Sequence, residues 1–243
     1  MDHEKFVNSR FFAACEWLWR LVILNFLTLI TCCGVITILA ATSACVKSFK
    51  AYQEGYDKNV FVTYWVNLKS CIVKSLIHSA IFVILGLIIG YAIWTYLLNL
   101  EAEDLTVEYK RFYTIGLSIT FIFGLIVLIS FLQYPLLFTY FKFGFFEQFK
   151  MGIYMGMKYV LITLVGLASV AGSVAMFLYA TPLWFFIGVS LPLFLIYAVS
   201  RNKYGYLSFN IYDIKDEEKL DYKRDEEEWF VNYYIYEVVV WKK

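Results

Sequence analysis

The stretch from Ile72 to Leu98 reads IVKSLIHSAIFVILGLIIGYAIWTYLL. It contains one lysine and no acidic residue. A helix needs about 20 predominantly apolar residues to cross roughly 30 Å of hydrocarbon. The stretch is long enough for one full crossing, so it predicts a transmembrane helix.

The rest of the chain has the same character. Of its 243 residues, 61% are hydrophobic and 17% are charged, whereas a soluble domain is about half apolar and a quarter charged. The apolar stretches predict helices at about 17–33, 37–53, 72–98, 112–141, 159–179 and 183–199. We therefore expect an all-α, polytopic membrane helix bundle of five to six hydrophobic helices. This transmembrane domain covers residues 1–205, and a charged and aromatic cytoplasmic tail covers 206–243.

The number of spans depends on residues 17–53. The sequence Thr31-Cys32-Cys33-Gly34 offers a break, and Thr37 can cap a second helix. Two full spans and a re-entrant pair both remain open, and one continuous helix would give five spans. Lys and Arg concentrate in cytoplasmic loops. The six-segment topology puts thirteen of them inside and two outside, against ten and five for five spans, so we predict a cell-membrane protein with both termini in the cytoplasm.

The tail differs in composition from the bundle. Residues 213–228 contain thirteen charged residues out of sixteen, nine of them acidic. Aromatic and β-branched residues follow up to Trp241. Packing on the protein's own cytoplasmic face and docking on another protein both remain open. The acidic excess argues against nucleic-acid binding.

The sequence contains no recognisable catalytic motif. Ionisable residues inside a membrane usually mark function, and the interiors of the predicted spans contain no Asp or Glu. With only His3 and His78, an HExxH motif is excluded, and GxGD, GxSxG and Walker A sequences are absent. The five cysteines show no CxxC spacing. We predict no catalytic, cofactor-binding or metal site, and thus no enzyme.

A small set of polar residues lies inside the predicted spans. In hydrocarbon, such groups normally hydrogen-bond to neighbouring helices or to their own backbone. A packing role is the first interpretation, and lining of a substrate path is the second. The residues are Asn25, Thr28, Thr31, Thr37 and His78.

Small residues four positions apart allow helices to approach closely. Gly86 and Gly90 form one such pair, and Ala168 and Gly172 form another. We predict that they pack within the bundle, with association of two copies as the alternative.

Several sequence elements together resemble the YesL family, bacterial membrane proteins that carry a domain of unknown function. The resemblance covers roughly residues 6–205. Family members often have a proline before the Val-Ile-Thr element, where this chain has Cys33-Gly34. The elements are Asn25, Val35-Ile36-Thr37-Ile38, Ala40-Ala41-Thr42-Ser43-Ala44, Tyr64-Trp65-Val66-Asn67-Leu68-Lys69-Ser70 and Gln133-Tyr134-Pro135-Leu136.

The resemblance implies a bacterial cell membrane and a genomic neighbourhood of carbohydrate ABC transporters, but no established activity and no catalytic residue. We therefore expect a non-enzymatic accessory or scaffold protein linked to carbohydrate uptake or its regulation. Its cytoplasmic loops and tail would contact a sugar ABC permease or a membrane sensor. The alternative is a small membrane transporter or channel subunit, with Asn25, Thr28, Thr31 and Asn67 as polar lining.

Overall fold

A computed structural model describes residues 10–32, 34–54, 59–101 and 106–212. A 3₁₀ turn, Val35–Thr37, links the first two helices. The predictions for residues 213–243 lie outside the described part of the chain. The α-helices are α1 (Arg10–Thr31), α2 (Ile38–Gln53), α3 (Val60–Leu100), α4 (Val107–Tyr140), α5 (Phe145–Lys158), α6 (Val160–Tyr179), α7 (Thr181–Ile187) and α8 (Ser190–Tyr212).

The helices confirm the predicted fold class. Four of them, α1, α3, α4 and α6, are long and apolar enough to cross a membrane. Among the described residues, the number is five if the pair α7 and α8, bent by 50° at their junction, is counted as one broken span. The protein is therefore an all-helical bundle of the multi-pass membrane type.

Helix α2 lies at the centre of the bundle. Its 16 residues span about 24 Å, less than the hydrocarbon thickness, and it is not among the candidate spans. It packs mainly against α3. There, Asn67 Nδ2 donates to Ser48 Oγ at 3.2 Å, and Cys71 Sγ lies 3.9 Å from the Ala40 carbonyl. Small side chains at this contact bring the two helices close together.

The sequence predicts no helix for residues 54–71, and this is wrong for most of the segment. Helix α3 begins at Val60, where Asn59 caps it by accepting a hydrogen bond from the Phe61 amide at 3.1 Å. Thr63 and Asn67 are polar yet buried inside the bundle. Hydropathy indicates whether a segment can contact lipid. A helical segment that contacts protein can be polar, so hydropathy does not detect it.

The sequence also predicts no helix for residues 142–158, but most of this segment is helix α5. Gly144 precedes its first turn, and the Glu147 carboxylate accepts from the Gly144 amide at 3.3 Å. The helix is amphipathic: Gln148 and Met155 are buried, whereas Phe146 is exposed. It thus lies on the surface of the bundle with one apolar face outward.

The last predicted helix, 183–199, is two helices. Helix α7 ends at Ile187 and α8 begins at Ser190. Helix α8 continues to Tyr212, so the predicted boundary between residues 205 and 206 falls inside it.

The packed core lies toward one end of the long helices. Buried residues of α3 all lie between Thr63 and Phe82, and those of α4 lie between Val127 and Tyr140. The remaining halves form a hairpin whose large apolar side chains are mostly exposed, including Leu87. Such a surface suits lipid, in which apolar side chains lose nothing by exposure.

A labelling experiment tests whether α1 and α2 form a complete hairpin. Gly34 lies exposed at the turn between them. In a cysteine-free variant, we expect Gly34→Cys in intact cells to react with a membrane-impermeant thiol reagent. Glu108→Cys is the matched control for the predicted external side, and Lys150→Cys is the control for the predicted cytoplasmic side. Labelling at Glu108 without labelling at Gly34 would show that the turn does not reach the outer surface.

Candidate functional site

Asn25 of α1 holds together the break between α7 and α8. Its Oδ1 accepts hydrogen bonds from the amides of Val189 at 2.8 Å and Ser190 at 2.9 Å. Its Nδ2 donates to the Phe185 carbonyl at 2.6 Å. A helix break leaves backbone groups without intrahelical partners, and a membrane supplies no water to satisfy them. The Asn25 amide therefore replaces the missing helical hydrogen bonds.

A second polar contact joins the same break to α6. Trp184 Nε1 donates to Ser173 Oγ at 3.1 Å, and Ser173 Oγ donates to the Gly188 carbonyl at 2.6 Å. The Ser190 hydroxyl is buried and has no hydrogen-bond partner among the described residues. We call Asn25, Ser173, Trp184, Gly188 and Ser190 the break site.

The two threonines that follow Asn25 lie against their own helix. Thr28 Oγ1 donates to the Leu24 carbonyl at 2.7 Å, and Thr31 Oγ1 donates to the Leu27 carbonyl at 2.8 Å. The Thr31 hydroxyl also hydrogen-bonds the Tyr64 hydroxyl of α3. Thr31 thus links α1 to α3, whereas Thr28 is buried and hydrogen-bonded to its own helix.

Thr37 does not cap α2 with its side chain, contrary to the sequence interpretation. Its Oγ1 donates to the Gly34 carbonyl at 2.7 Å and accepts from the Gly34 amide at 3.3 Å. These bonds close the 3₁₀ turn before α2. Thr37 shapes the turn and is separate from the break site.

His78 is buried and surrounded by aromatic rings. Its Nδ1 lies 2.7 Å from the Lys74 carbonyl, which places a hydrogen on that nitrogen. The rings of Tyr134, Phe138 and Phe145 have centroids 5.2, 5.3 and 4.5 Å from the imidazole. In this environment, His78 joins α3 to α4 and α5.

The sequence interpretation missed a buried polar chain that links four helices. Tyr204 of α8 donates to Gln133 Oε1 at 2.6 Å, and Gln133 Nε2 donates to Thr163 Oγ1 at 2.9 Å. Thr163 in turn donates to the Gly156 carbonyl at 2.9 Å. The amide of Gln133 inside the apolar run 112–141 was the available signal, since a buried amide needs partners.

The small residues expected to pack within the bundle face open space. A Cβ added at Gly86, Gly90 or Gly172 would meet nothing within 4 Å. Ala168 is exposed as well. Among the described residues of a single copy, these four positions therefore make no close contact with a neighbouring helix.

Other glycines make the close contacts. A Cβ at Gly156 of α5 would lie 2.3 Å from Ile129 Cγ2 of α4. One at Gly152 would lie 3.2 Å from the Tyr134 ring. Glycine at both positions allows α5 to lie directly on α4.

The described residues contain no group of three or more His, Cys, Asp or Glu side chains able to hold a metal ion. Searches against protein-family models, curated protein sequences and solved structures find no match for this chain.

Proposed function

We propose that this chain is a non-enzymatic membrane scaffold or accessory protein linked to carbohydrate uptake or its regulation. The proposal is based on the hydrogen bonds that the polar groups inside the bundle form. Asn25, Thr28, Thr31 and Gln133 bond to the protein's own backbone and side chains. Groups occupied in this way stabilise a fixed arrangement of helices and offer little to a passing solute. The resemblance to the YesL family supports the link to carbohydrates.

Helix α5 provides a surface for a partner on the predicted cytoplasmic side. Phe146 is 84% exposed, and Tyr154 and Met157 are exposed on the same helix. Lys150 lies between them and is exposed too. Aromatic residues and methionine are enriched at protein interfaces. We infer that this outer face of α5 contacts a sugar ABC permease or a membrane sensor.

Replacing Phe146 with alanine is expected to remove this partner while leaving the protein folded. Affinity purification in a mild detergent, followed by mass spectrometry, should recover a permease or sensor component with the original chain and at least fivefold less with Phe146→Ala. Phe112→Ala is the matched control. Phe112 is also strongly exposed (67%), but it lies near the start of α4, whereas α5 follows the end of that helix. Equal recovery with both variants would exclude the α5 surface, and recovery of no such component would remove the scaffold proposal.

A small transporter remains the second candidate. The break between α7 and α8 favours it, because broken helices form substrate sites in many transporters, and the Ser190 hydroxyl is buried there. Against it, Asn25 satisfies the backbone groups of the break. Uptake of a radiolabelled sugar by proteoliposomes containing only this chain decides the matter. Scaffold function predicts uptake equal to that of empty liposomes.

A further inference from the structure

Three buried side chains, one each from α3, α4 and α5, carry a polar atom that has no hydrogen-bond partner among the described residues. The atoms are His78 Nε2, Tyr134 Oη and Gln148 Nε2. The three residues are at most 4% exposed. A buried polar atom without a partner costs free energy, so folded proteins leave few of them. We call these three residues the junction site.

His78 and Tyr134 lie side by side where α3 contacts α4. The centroids of their rings are 5.2 Å apart. Phe82 follows His78 by one turn on α3, and its ring centroid lies 4.9 Å from that of Tyr134. Residues four positions apart share one face of a helix. The Tyr134 ring is therefore held against one face of α3, beside the His78 imidazole.

Helix α5 places Gln148 against the same two rings. Phe145 precedes Gln148 by three residues, and its ring centroid lies 4.5 Å from that of His78. Gly152 follows by four residues, and a Cβ added there would lie 3.2 Å from Cε2 of the Tyr134 ring. Residues at these spacings share one face of a helix. The buried Gln148 side chain therefore starts between the contact with His78 and the contact with Tyr134.

The three polar atoms have complementary hydrogen-bonding roles. His78 Nδ1 lies 2.7 Å from the Lys74 carbonyl and carries the hydrogen of the neutral imidazole, so Nε2 accepts. The amide nitrogen of Gln148 donates, and the Tyr134 hydroxyl can do both. A partner common to all three must therefore both donate and accept. It must also be small, because all three residues are almost completely enclosed by protein.

A proline in α4 adds a fourth polar group less than one turn before Tyr134. Pro135 lies inside the helix and has no amide hydrogen, so the Phe131 carbonyl four residues earlier lacks its helical donor. In membrane helices, ordered waters are among the groups that satisfy carbonyls freed by proline. This part of α4 therefore offers a further acceptor to a small hydrogen-bonding molecule.

We propose that the junction site binds one water molecule. The water donates to His78 Nε2, accepts from Gln148 Nε2 and hydrogen-bonds the Tyr134 hydroxyl. Buried waters typically form about three hydrogen bonds, to polar groups that have no other partner. A sugar is too large for a site enclosed by the Phe82 and Phe145 rings, and an ion has no charged side chain to bind there. The water joins α5 to α3 and α4.

Replacing Tyr134 with phenylalanine tests this proposal, because the change removes only the hydroxyl. If a water bonds this hydroxyl, the unfolding temperature of the full chain in detergent should fall by about 2–4 °C. If the hydroxyl has no partner, its removal relieves a buried polar group, and an unchanged or higher unfolding temperature would overturn the proposal. Tyr204→Phe is the matched control. The Tyr204 hydroxyl donates to Gln133 at 2.6 Å, so its removal should lower the unfolding temperature in either case.

A second variant tests whether the three residues share one partner. Gln148→Met keeps a side chain of similar length without the amide, and it should also lower the unfolding temperature by about 2–4 °C. If one water bonds both side chains, the double variant Tyr134→Phe/Gln148→Met should lose less than the sum of the single changes. Additive losses would mean separate partners and would overturn the shared site.

A high-resolution experimental structure of the full chain provides the direct measurement. We expect density for one water within about 3.2 Å of His78 Nε2, Tyr134 Oη and Gln148 Nε2. Direct hydrogen bonds among these three atoms, with no density between them, would overturn the proposal.

Discussion

Replacing Asn25 with leucine is expected to lower the unfolding temperature by roughly 6–12 °C. The variant leaves the amides of Val189 and Ser190 and the carbonyl of Phe185 without the Asn25 partner. Each buried polar group left unsatisfied costs about 1–3 kcal/mol, so the loss is about 3 kcal/mol or more. For a chain of this length, each kcal/mol corresponds to about 2–4 °C. Thermal unfolding in detergent, with the yield of monodisperse protein, measures the effect.

Asn99→Leu is the matched control for this change. The Asn99 amide donates to the Thr95 carbonyl, one turn earlier in the same helix. The Thr95 carbonyl belongs to an intact helix. Loss of this hydrogen bond is therefore expected to lower the unfolding temperature by less than about 3 °C. Equal effects of the two substitutions would contradict the role of Asn25 at the break. A further variant, Asn25→Asp, keeps an acceptor for the two amides. Its unfolding temperature should lie between those of Asn25→Leu and Asn99→Leu.

Asn25 also illustrates how far the sequence could predict the candidate site. A polar residue inside an apolar span needs partners, so the sequence could indicate that Asn25 matters. It could not indicate which groups it contacts, because the Ser190 amide lies 165 positions away along the chain. The break falls within an apolar run that contains no charged residue, although Gly188, Ser190 and Pro192 lie at or beside it. Hydropathy therefore predicted one helix where α7 and α8 meet.

Predictions of the fold succeeded for the apolar runs, including the buried helix α2, which was predicted at 37–53 and observed at Ile38–Gln53, and failed for polar or amphipathic segments. The apolar runs of α4 and α6 were placed to within a few residues of their observed bounds. The first turns of α3 and the whole of α5 are amphipathic, and the sequence predicts no helix for either. Helical geometry there depends on burial of residues such as Asn67 and Gln148 against neighbouring helices. That packing is a tertiary property, which the local pattern does not contain.

The small-residue pairs show the same limit. Gly86 and Gly90 match the spacing for close helix contact, yet they face open space. Ala40 and Ala44 are buried between α2 and α3, and their spacing is also four. Spacing shows that close approach is sterically allowed, whereas the partner helix is set by the connection lengths and the polar contacts nearby. Sequence alone therefore could not choose between these pairs.

Replacing Ala44 with leucine is the test of this distinction, and we expect it to destabilise the bundle strongly. The Ala44 side chain is fully buried, and α3 lies directly on α2 at Ser48 and Ala40 on either side of it. Three additional carbon atoms there force the helices apart, at a typical cost of about 1–3 kcal/mol. The unfolding temperature should fall by roughly 2–12 °C.

Ala168→Leu makes the same chemical change on the outer face of α6, where Ala168 is exposed. In a single copy surrounded by lipid or detergent, the larger side chain meets no protein, so the unfolding temperature should change by less than about 2 °C. A large effect at Ala168 together with altered mobility in size-exclusion chromatography would mean that a second copy covers α6. A small effect at Ala44 would instead mean that α2 can move away from α3. Because both variants add the same atoms, the difference between their unfolding temperatures measures how far protein encloses each site. A large difference means that α2 lies inside the bundle, and a small one means that it lies at the lipid surface.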